Sequence, residues 1–182
     1  MLDLHTHSTV SDGSDTPADI PRLAAAAGCS AVALTDHDRL DGIGAARAAA
    51  ADAGVELVSG CEISCEVERG TMHLLVYFVE PGDGPLQGEL VRLQDVRDRR
   101  NEVMCKRLGL SYDDLLAESG GMGAGRPHVA ALLVRDGRAT SIQDAFDRWL
   151  AKGRPGYVEK ERLTPVRALD LAAASGGVAV LA

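Results

Sequence analysis

Four of the five histidines fall within the first 73 residues, each in or just after a short apolar run. They read Leu4-His5-Thr6-His7, then Leu34-Thr35-Asp36-His37, then Met72-His73-Leu74, with Asp12 and Cys61-Glu62 between them. Imidazole nitrogens and carboxylate oxygens delivered at successive strand ends are the donors a polynuclear metal site requires. His5 and His7 are two apart, so on a strand both leave the same face and can close on one ion. Asp12 follows across a Ser-Asp-Gly-Ser turn able to fold it back over the same mouth. Singly, each residue has a plainer reading: His73 as a core histidine, Asp12 as a turn former, Glu62 as a solvated strand end. Together, His5, His7, Asp12, His37, Glu62 and His73 form the candidate ligand set, with Asp36 and Asp38 expected to fix the tautomer of a ligating imidazole. Such donors without thiolate suit Zn, Mn or Fe(II), and sequence does not choose among them. Two or more such ions make a hydrolytic site, acidifying a bridging water and neutralising charge on a phosphoryl oxygen.

A second group is basic. Arg97, Arg99, Arg100 and Asn101 lie on a charged stretch whose plainer reading is a solvated face balanced by Asp95, Asp98 and Glu102; Arg100 and Asn101 are the better candidates for substrate. Gly125-Arg126-Pro127-His128 marks a helix start, where free N–H groups beside Arg126 make a phosphate seat. His128 either reaches substrate or caps its own helix, and its pairing with Arg126 favours the first.

The elements that must position these groups alternate over the first eighty residues. A strand over 2–4 enters His5. A helix opens with Thr16 as N-cap and Pro17 in its first turn, and ends at Gly28. A strand over 31–34, a helix over 40–53 closed by Gly54, and strands over 55–59 and 71–79 follow. This alternation implies parallel βαβ units, with His5, His37 and Glu62 emerging at the carboxyl ends of the strands. His73 lies early in its run, so that strand either runs opposite to its neighbours or begins at the mouth. After the turn Pro81-Gly82-Asp83-Gly84-Pro85 comes a charged helix over 86–108. Helical stretches over 112–118, 127–136 and 142–151 follow, broken by Gly120-Gly121-Met122-Gly123 and Gly153-Arg154-Pro155. Residues 86–160 thus read as an inserted helical subdomain. A helix over 165–174 and a strand over 177–182 close the record; that strand reads as buried and parallel, and a chain stopping inside it leads us to expect truncation at the C-terminus.

Length and composition bound the rest. A chain of 182 residues supports one domain with a real core, and with only 3% aromatic residues that core must be built from Ala, Val and Leu. A formal charge of −8 excludes a protein that coats nucleic acid through its overall field, so an anionic substrate needs a local positive site. The four cysteines include no Cys-x-x-Cys pair and read as reduced thiols. With no signal peptide or membrane span visible, the expected location is cytoplasmic.

Asp3-Leu4-His5-Thr6-His7-Ser8 with Ser11-Asp12-Gly13, Ala33-Leu34-Thr35-Asp36-His37-Asp38, Gly60-Cys61-Glu62-Ile63-Ser64 and Met72-His73-Leu74 resemble the PHP (polymerase and histidinol phosphatase) superfamily. Arg97-Asp98-Arg99-Arg100-Asn101 and Gly125-Arg126-Pro127-His128 narrow the likeness to its stand-alone bacterial phosphoesterases, among them nucleoside 3′,5′-bisphosphate phosphatases and 5′→3′ exoribonucleases on short RNA. The resemblance covers essentially the whole chain. It implies an α/β fold, a distorted (β/α)7 TIM-like barrel, here incomplete, with a helical insertion. Residues 1–182 then form one domain, with barrel elements at 1–80 and 164–182. It also implies two to three divalent ions (Mn, Zn or Fe). His5, His7 and Glu62 hold one, Glu62 and His73 help hold a second, and Asp12 with His37 hold a third. Arg100, Asn101, Arg126 and His128 match positions near the substrate phosphates. The implied activity is hydrolysis of phosphate monoesters or short oligonucleotides by a metal-bridging hydroxide, with Arg126 carrying developing charge and His128 protonating the leaving oxygen. The family pattern continues past a Gly-Gly-Val-Ala-Val-Leu-Ala strand with His-Pro and a later Asp-x-His pair, which this chain does not reach. The turn at 81–85 and the junction at 108–111 also look short for the family. The rival readings are a histidinol-phosphate phosphatase and a non-catalytic, truncated metal-binding domain.

Overall fold

The computed structural model describes residues 1–70, 72–82, 84–120 and 123–182. Strands β1 (Leu2–Thr6), β2 (Ala31–Leu34), β3 (Glu56–Cys65), β4 (Met72–Tyr77) and β5 (Val178–Leu181) form one sheet in that order. The first three are parallel, joined through helices α1 (Asp19–Ala26) and α2 (Ile43–Ala53), as the βαβ reading requires. β4 runs antiparallel to β3, which decides between the two alternatives for His73. β5 runs antiparallel to β4. The expectation of a buried parallel strand over 177–182 is therefore corrected. Among the described residues β5 is an edge strand with β4 as its one neighbour, and Val178, Val180 and Leu181 are exposed. Thr71, Asp83, Gly121 and Met122, on which parts of the expected strand, turn and glycine break fall, lie outside the described residues.

Element boundaries shift for local reasons. The Thr16 carbonyl accepts from the N–H groups of Asp19 and Ile20, at 2.9 and 3.3 Å, so a turn precedes α1 and Thr16 is not its N-cap. α2 begins at Ile43, after a turn in which the Leu40 carbonyl accepts from Ile43 N–H. Both helices end as expected. Gly28 and Gly54 take left-handed φ values of 79° and 69°, and the next residue's N–H returns to Ala24 and Ala50 respectively. β3 extends well beyond its expected end at Ser59, because period-2 alternation continues: Cys61, Ile63 and Cys65 enter the helix-packed core while Gly60, Glu62 and Ser64 take the other face.

The described residues fall into two compact units. The first, Met1–Leu93 with Arg162–Ala182, packs α1, α2 and α7 (Pro165–Ala174) against one face of the sheet, burying Val32, Leu34, Ile43, Ile63, Val76, Leu90 and Leu171. Thr164 caps α7 by accepting from Arg167 N–H, with Pro165 in the first turn. The opposite face carries a smaller cluster of Ala33, Leu75 and Tyr77, with Val58 against it. The sheet is curled: the Tyr77 hydroxyl donates to the Leu4 carbonyl at 2.8 Å although β2 and β3 lie between their strands. In a flat sheet β1 and β4 would be ~14 Å apart, beyond the reach of any tyrosine. The second unit, Gln94–Glu161, takes in the C-terminal half of α3 (Pro85–Leu108) with α4 (Tyr112–Glu118), α5 (Arg126–Arg135) and α6 (Ile142–Ala145). A π-helical turn at Phe146–Leu150 continues α6, and Met104, Leu115, Leu132, Leu133 and Leu150 form the core. No described helix is long and apolar enough to cross a membrane.

Candidate metal centre

All six expected ligands meet in the first unit, at the end of the sheet where β1, β2 and β3 finish and β4 begins. Glu62 is their hub. It is 3% exposed, and His5 Nε2 and His7 Nε2 each lie 2.9 Å from its Oε2. His37 Nδ1 lies 3.6 Å from the same oxygen, and His73 Nδ1 lies 2.6 Å from Oε1. Asp12 closes the open side, with its carboxylate 3.4 Å from His7 Nδ1 and 3.5 Å from His37 Nε2. Neighbouring imidazole centroids along the row His5, His7, His37, His73 are 5.1, 4.6 and 5.1 Å apart.

The backbone explains the convergence. A parallel bridge pairs His37 with Glu62 beyond the end of β2, and Glu62 N–H donates to the Asp36 carbonyl while Asp38 N–H donates to that of Glu62. The register pairs Glu62 with Leu75 and Ser64 with His73, so His73 is the diagonal neighbour of Glu62 on the concave face. Asp38 adopts φ 53° and its carboxylate accepts from Ser64 N–H at 2.9 Å, locking the turn after His37 onto β3.

Asp36 does something other than expected. Its buried carboxylate accepts from Ser8 N–H, Ser8 Oγ and Ser11 Oγ, all at 2.7 Å, rather than from an imidazole. It thereby pins the loop that carries Asp12. Gly13 N–H closes the same loop onto the Ser8 carbonyl, and a Cβ at Gly13 would lie 2.3 Å from the His7 carbonyl oxygen. Ser8, Ser11 and Gly13 were read from sequence only as members of a motif and a turn, and the floor residue Tyr77 was not picked out at all. The period-2 run His73, Leu75, Tyr77 carries that signal for the tyrosine.

Burial lowers the pKa of His37, against the opposing charges of Glu62 and Asp12. For Glu62, burial acts upward, but the hydrogen bond of His5, the charge of His37 and the hydrogen bond of His73 together hold its carboxyl below the ordinary range. The site therefore favours a neutral His37 beside an ionised Glu62, the protonation state in which both are ligands. Among the described residues three groups have donor atoms within 4.8 Å of one another: His5, His7 and Glu62; His7, Asp12 and His37; His37, Glu62 and His73. His37 Nδ1 is buried without a hydrogen-bond partner, a costly state for a donor atom unless a further group satisfies it. Cys61, next to Glu62 in sequence, faces the core, where burial pushes its thiol far above the ordinary range; no thiolate joins these donors. The donor set fits divalent cations of the Zn, Mn and Fe(II) class.

The remaining candidates belong to the second unit. Arg100 and Asn101 are buried, with Arg100 Nη2 donating to Asn101 Oδ1 at 2.9 Å and Asn101 Nδ2 donating to the Ala124 carbonyl. Arg126 stands over the Phe146 ring, 5.7 Å from its centroid. His128 Nδ1 accepts from Gly125 N–H at 3.2 Å, so this ring does cap its own helix through one nitrogen.

A carboxylate ringed by imidazoles on the concave face of a curled α/β sheet defines a metal-ligand centre of the kind hydrolases use. The PHP domain model matches residues 3–159, and the chain belongs to that family. It is 32% identical over its whole length to a 5′-3′ exoribonuclease of Salmonella typhimurium, of which it covers 64%. It is 31% identical to a 3′,5′-nucleoside bisphosphate phosphatase of Chromobacterium violaceum, covering 66% of that protein. The structure of a metal-dependent phosphoesterase from Bifidobacterium adolescentis superposes with a TM-score of 0.83 at 29% identity, over 99% of this chain and 65% of that one. The chain thus spans about two thirds of the length of these proteins.

Proposed function

We propose that the chain carries the metal-binding part of a phosphoesterase that hydrolyses phosphate monoesters or short oligonucleotides. The observation that carries this reading is Glu62, buried at the meeting point of four imidazoles, with the orphaned Nδ1 of His37 beside it. His5, His7 and Glu62 would hold one ion, Glu62 and His73 a second, and Asp12 with His37 a third. Bound divalent cations would acidify a water molecule and neutralise charge on a phosphoryl oxygen. Glu62 keeps the imidazoles oriented, Asp12 guards the open side, and Asp36 holds the loop between them.

On the same reading, Arg126 carries phosphate charge, His128 protonates the leaving oxygen, and Arg100 with Asn101 contribute to substrate binding. The named activities of the relatives, on nucleoside bisphosphates and RNA, support a nucleotide or short RNA substrate over histidinol phosphate. Residues 1–182 are read as one domain, with 86–160 as its helical insertion. Its curled sheet is taken as part of a distorted barrel, a reading supported by the exposed apolar side chains of β1 and β5. Four free cysteines accord with a reducing, cytoplasmic setting.

The test is elemental analysis of the purified chain together with phosphate release from adenosine 3′,5′-bisphosphate, a short RNA and histidinol phosphate. Two to three divalent ions per chain, and release from the nucleotides in preference to histidinol phosphate, are expected. A chain that takes up no ion after incubation with Mn2+, Zn2+ or Fe2+ overturns the proposal.

A further inference from the structure

β1 delivers His5 and His7, yet the strand is poorly held just where His5 leaves it. Its ladder with β2 runs Leu2 to Ala31 and Asp3 to Val32, breaks, and resumes with Thr6 to Leu34. Thr6 is then firmly anchored: its hydroxyl donates to the Ala33 carbonyl at 2.6 Å, and its own carbonyl accepts from Thr35 N–H and Oγ1. The irregular segment is Leu4-His5, on a strand that among the described residues has β2 as its one neighbour in the sheet. One group reaches it from across the sheet. The Tyr77 hydroxyl donates to the Leu4 carbonyl at 2.8 Å, and that carbonyl belongs to the peptide unit whose nitrogen is His5 N. Because a peptide is planar, fixing its carbonyl fixes the direction in which the His5 Cα leaves.

The concave face is built to let the tyrosine make this span. Tyr77 is paired in register with Gly60, and a Cβ at Gly60 would lie 2.6 Å from the Val76 carbonyl and 3.4 Å from Tyr77 Cδ1. A bare position opposite the ring lets it lie low, against Ala33 and Leu75, rather than standing up into the ligand cluster.

We propose that Tyr77 is a positioning residue that replaces the missing ladder contact of β1 and so sets His5 against Glu62. This rests on the metal-centre reading and deepens it. The role of Tyr77 is to hold the curl of the sheet at the radius the ligands need, and Gly60 supplies its clearance.

The experiment compares wild type, Tyr77→Phe and Val58→Ala. Val58 packs against the same floor but makes no bond to β1, so it controls for loss of apolar bulk. Co2+ titration is followed by the visible absorption of the bound ion, alongside thermal melting of each metal-free chain. Tyr77→Phe is expected to weaken the tightest Co2+ step by about three- to tenfold, the worth of one hydrogen bond, and to change the intensity of the visible band. Val58→Ala is expected to lower the Tm while leaving the Co2+ isotherm and spectrum as in wild type. Tyr77→Phe with wild-type affinity and spectrum overturns the positioning role and leaves the metal centre standing. Val58→Ala weakening Co2+ as much as Tyr77→Phe also overturns it, since bulk rather than the hydroxyl would then matter. A wild-type chain that binds no Co2+ overturns both readings together.

Discussion

Glu62 is the buried carboxylate on which four imidazoles converge, two of them, His5 and His73, through hydrogen bonds. Glu62→Gln keeps the shape but removes the charge, and is expected to weaken divalent-ion binding by at least about a hundredfold with a small change in Tm; isothermal titration with Mn2+ measures it. Acid acts on the same group of side chains. Burial makes folded His37 harder to protonate than the unfolded residue, so its contribution to stability is complete above the unfolded value of about 6.5 and is lost as pH falls. Glu62, held below its ordinary range, loses its contribution further down, as pH falls below about 4.3 and through its folded value. The Tm of the metal-free chain should therefore fall between pH 7 and pH 3, first through His37 and then, below about pH 4.3, through Glu62. A Tm flat across that interval would contradict both assignments. The convergence of His5, His7, Asp12, His37, Glu62 and His73 was legible in the sequence because their types are rare and their spacing matches strand ends. The role of Asp36 was not, because a carboxylate beside a histidine in sequence gives no sign that its hydrogen bonds run to Ser8 and Ser11.

At the level of elements, the loop over 8–15 is the piece most sensitive to a single methyl group. Gly13→Ala puts a Cβ against the backbone of His7 at 2.3 Å, a contact that neither partner can relieve by rotating a side chain. It should cost about 1–3 kcal/mol in chemical denaturation and displace Asp12, reducing the number of ions bound. The parallel order of β1, β2 and β3 followed from the alternation of strands and helices. The direction of β4 stood in the sequence as one of two alternatives, because the gap between Cys65 and Met72, six residues where a parallel crossover needs a dozen or more, is visible only once the end of β3 is known. The length of β3 was hidden for another reason. Ser59 and Gly60 interrupt the apolar run, and only the alternation of Cys61, Ile63 and Cys65 reveals that the strand continues. Tyr77 escaped attention because an apolar run explains a tyrosine without any further role.

For the molecule as a whole, two separate cores make ligand binding a local event in stability. Ions at about one hundred times their Kd should stabilise the folded chain by about 2.7 kcal/mol. Hydrogen exchange should show that protection concentrated in β3 and β4, with the amides of α5 changing little; equal gains in both regions would argue against ions binding at Glu62. The borders of the sheet have a consequence of their own. Within these 182 residues, as described, β1 and β5 are the borders of the sheet and carry Leu2, Leu4, Val178, Val180 and Leu181 exposed. A polypeptide of these 182 residues in concentrated solution should stack rim to rim, and light scattering should rise with its concentration. Leu181→Lys, placing a charge on that rim, should keep the solution clear.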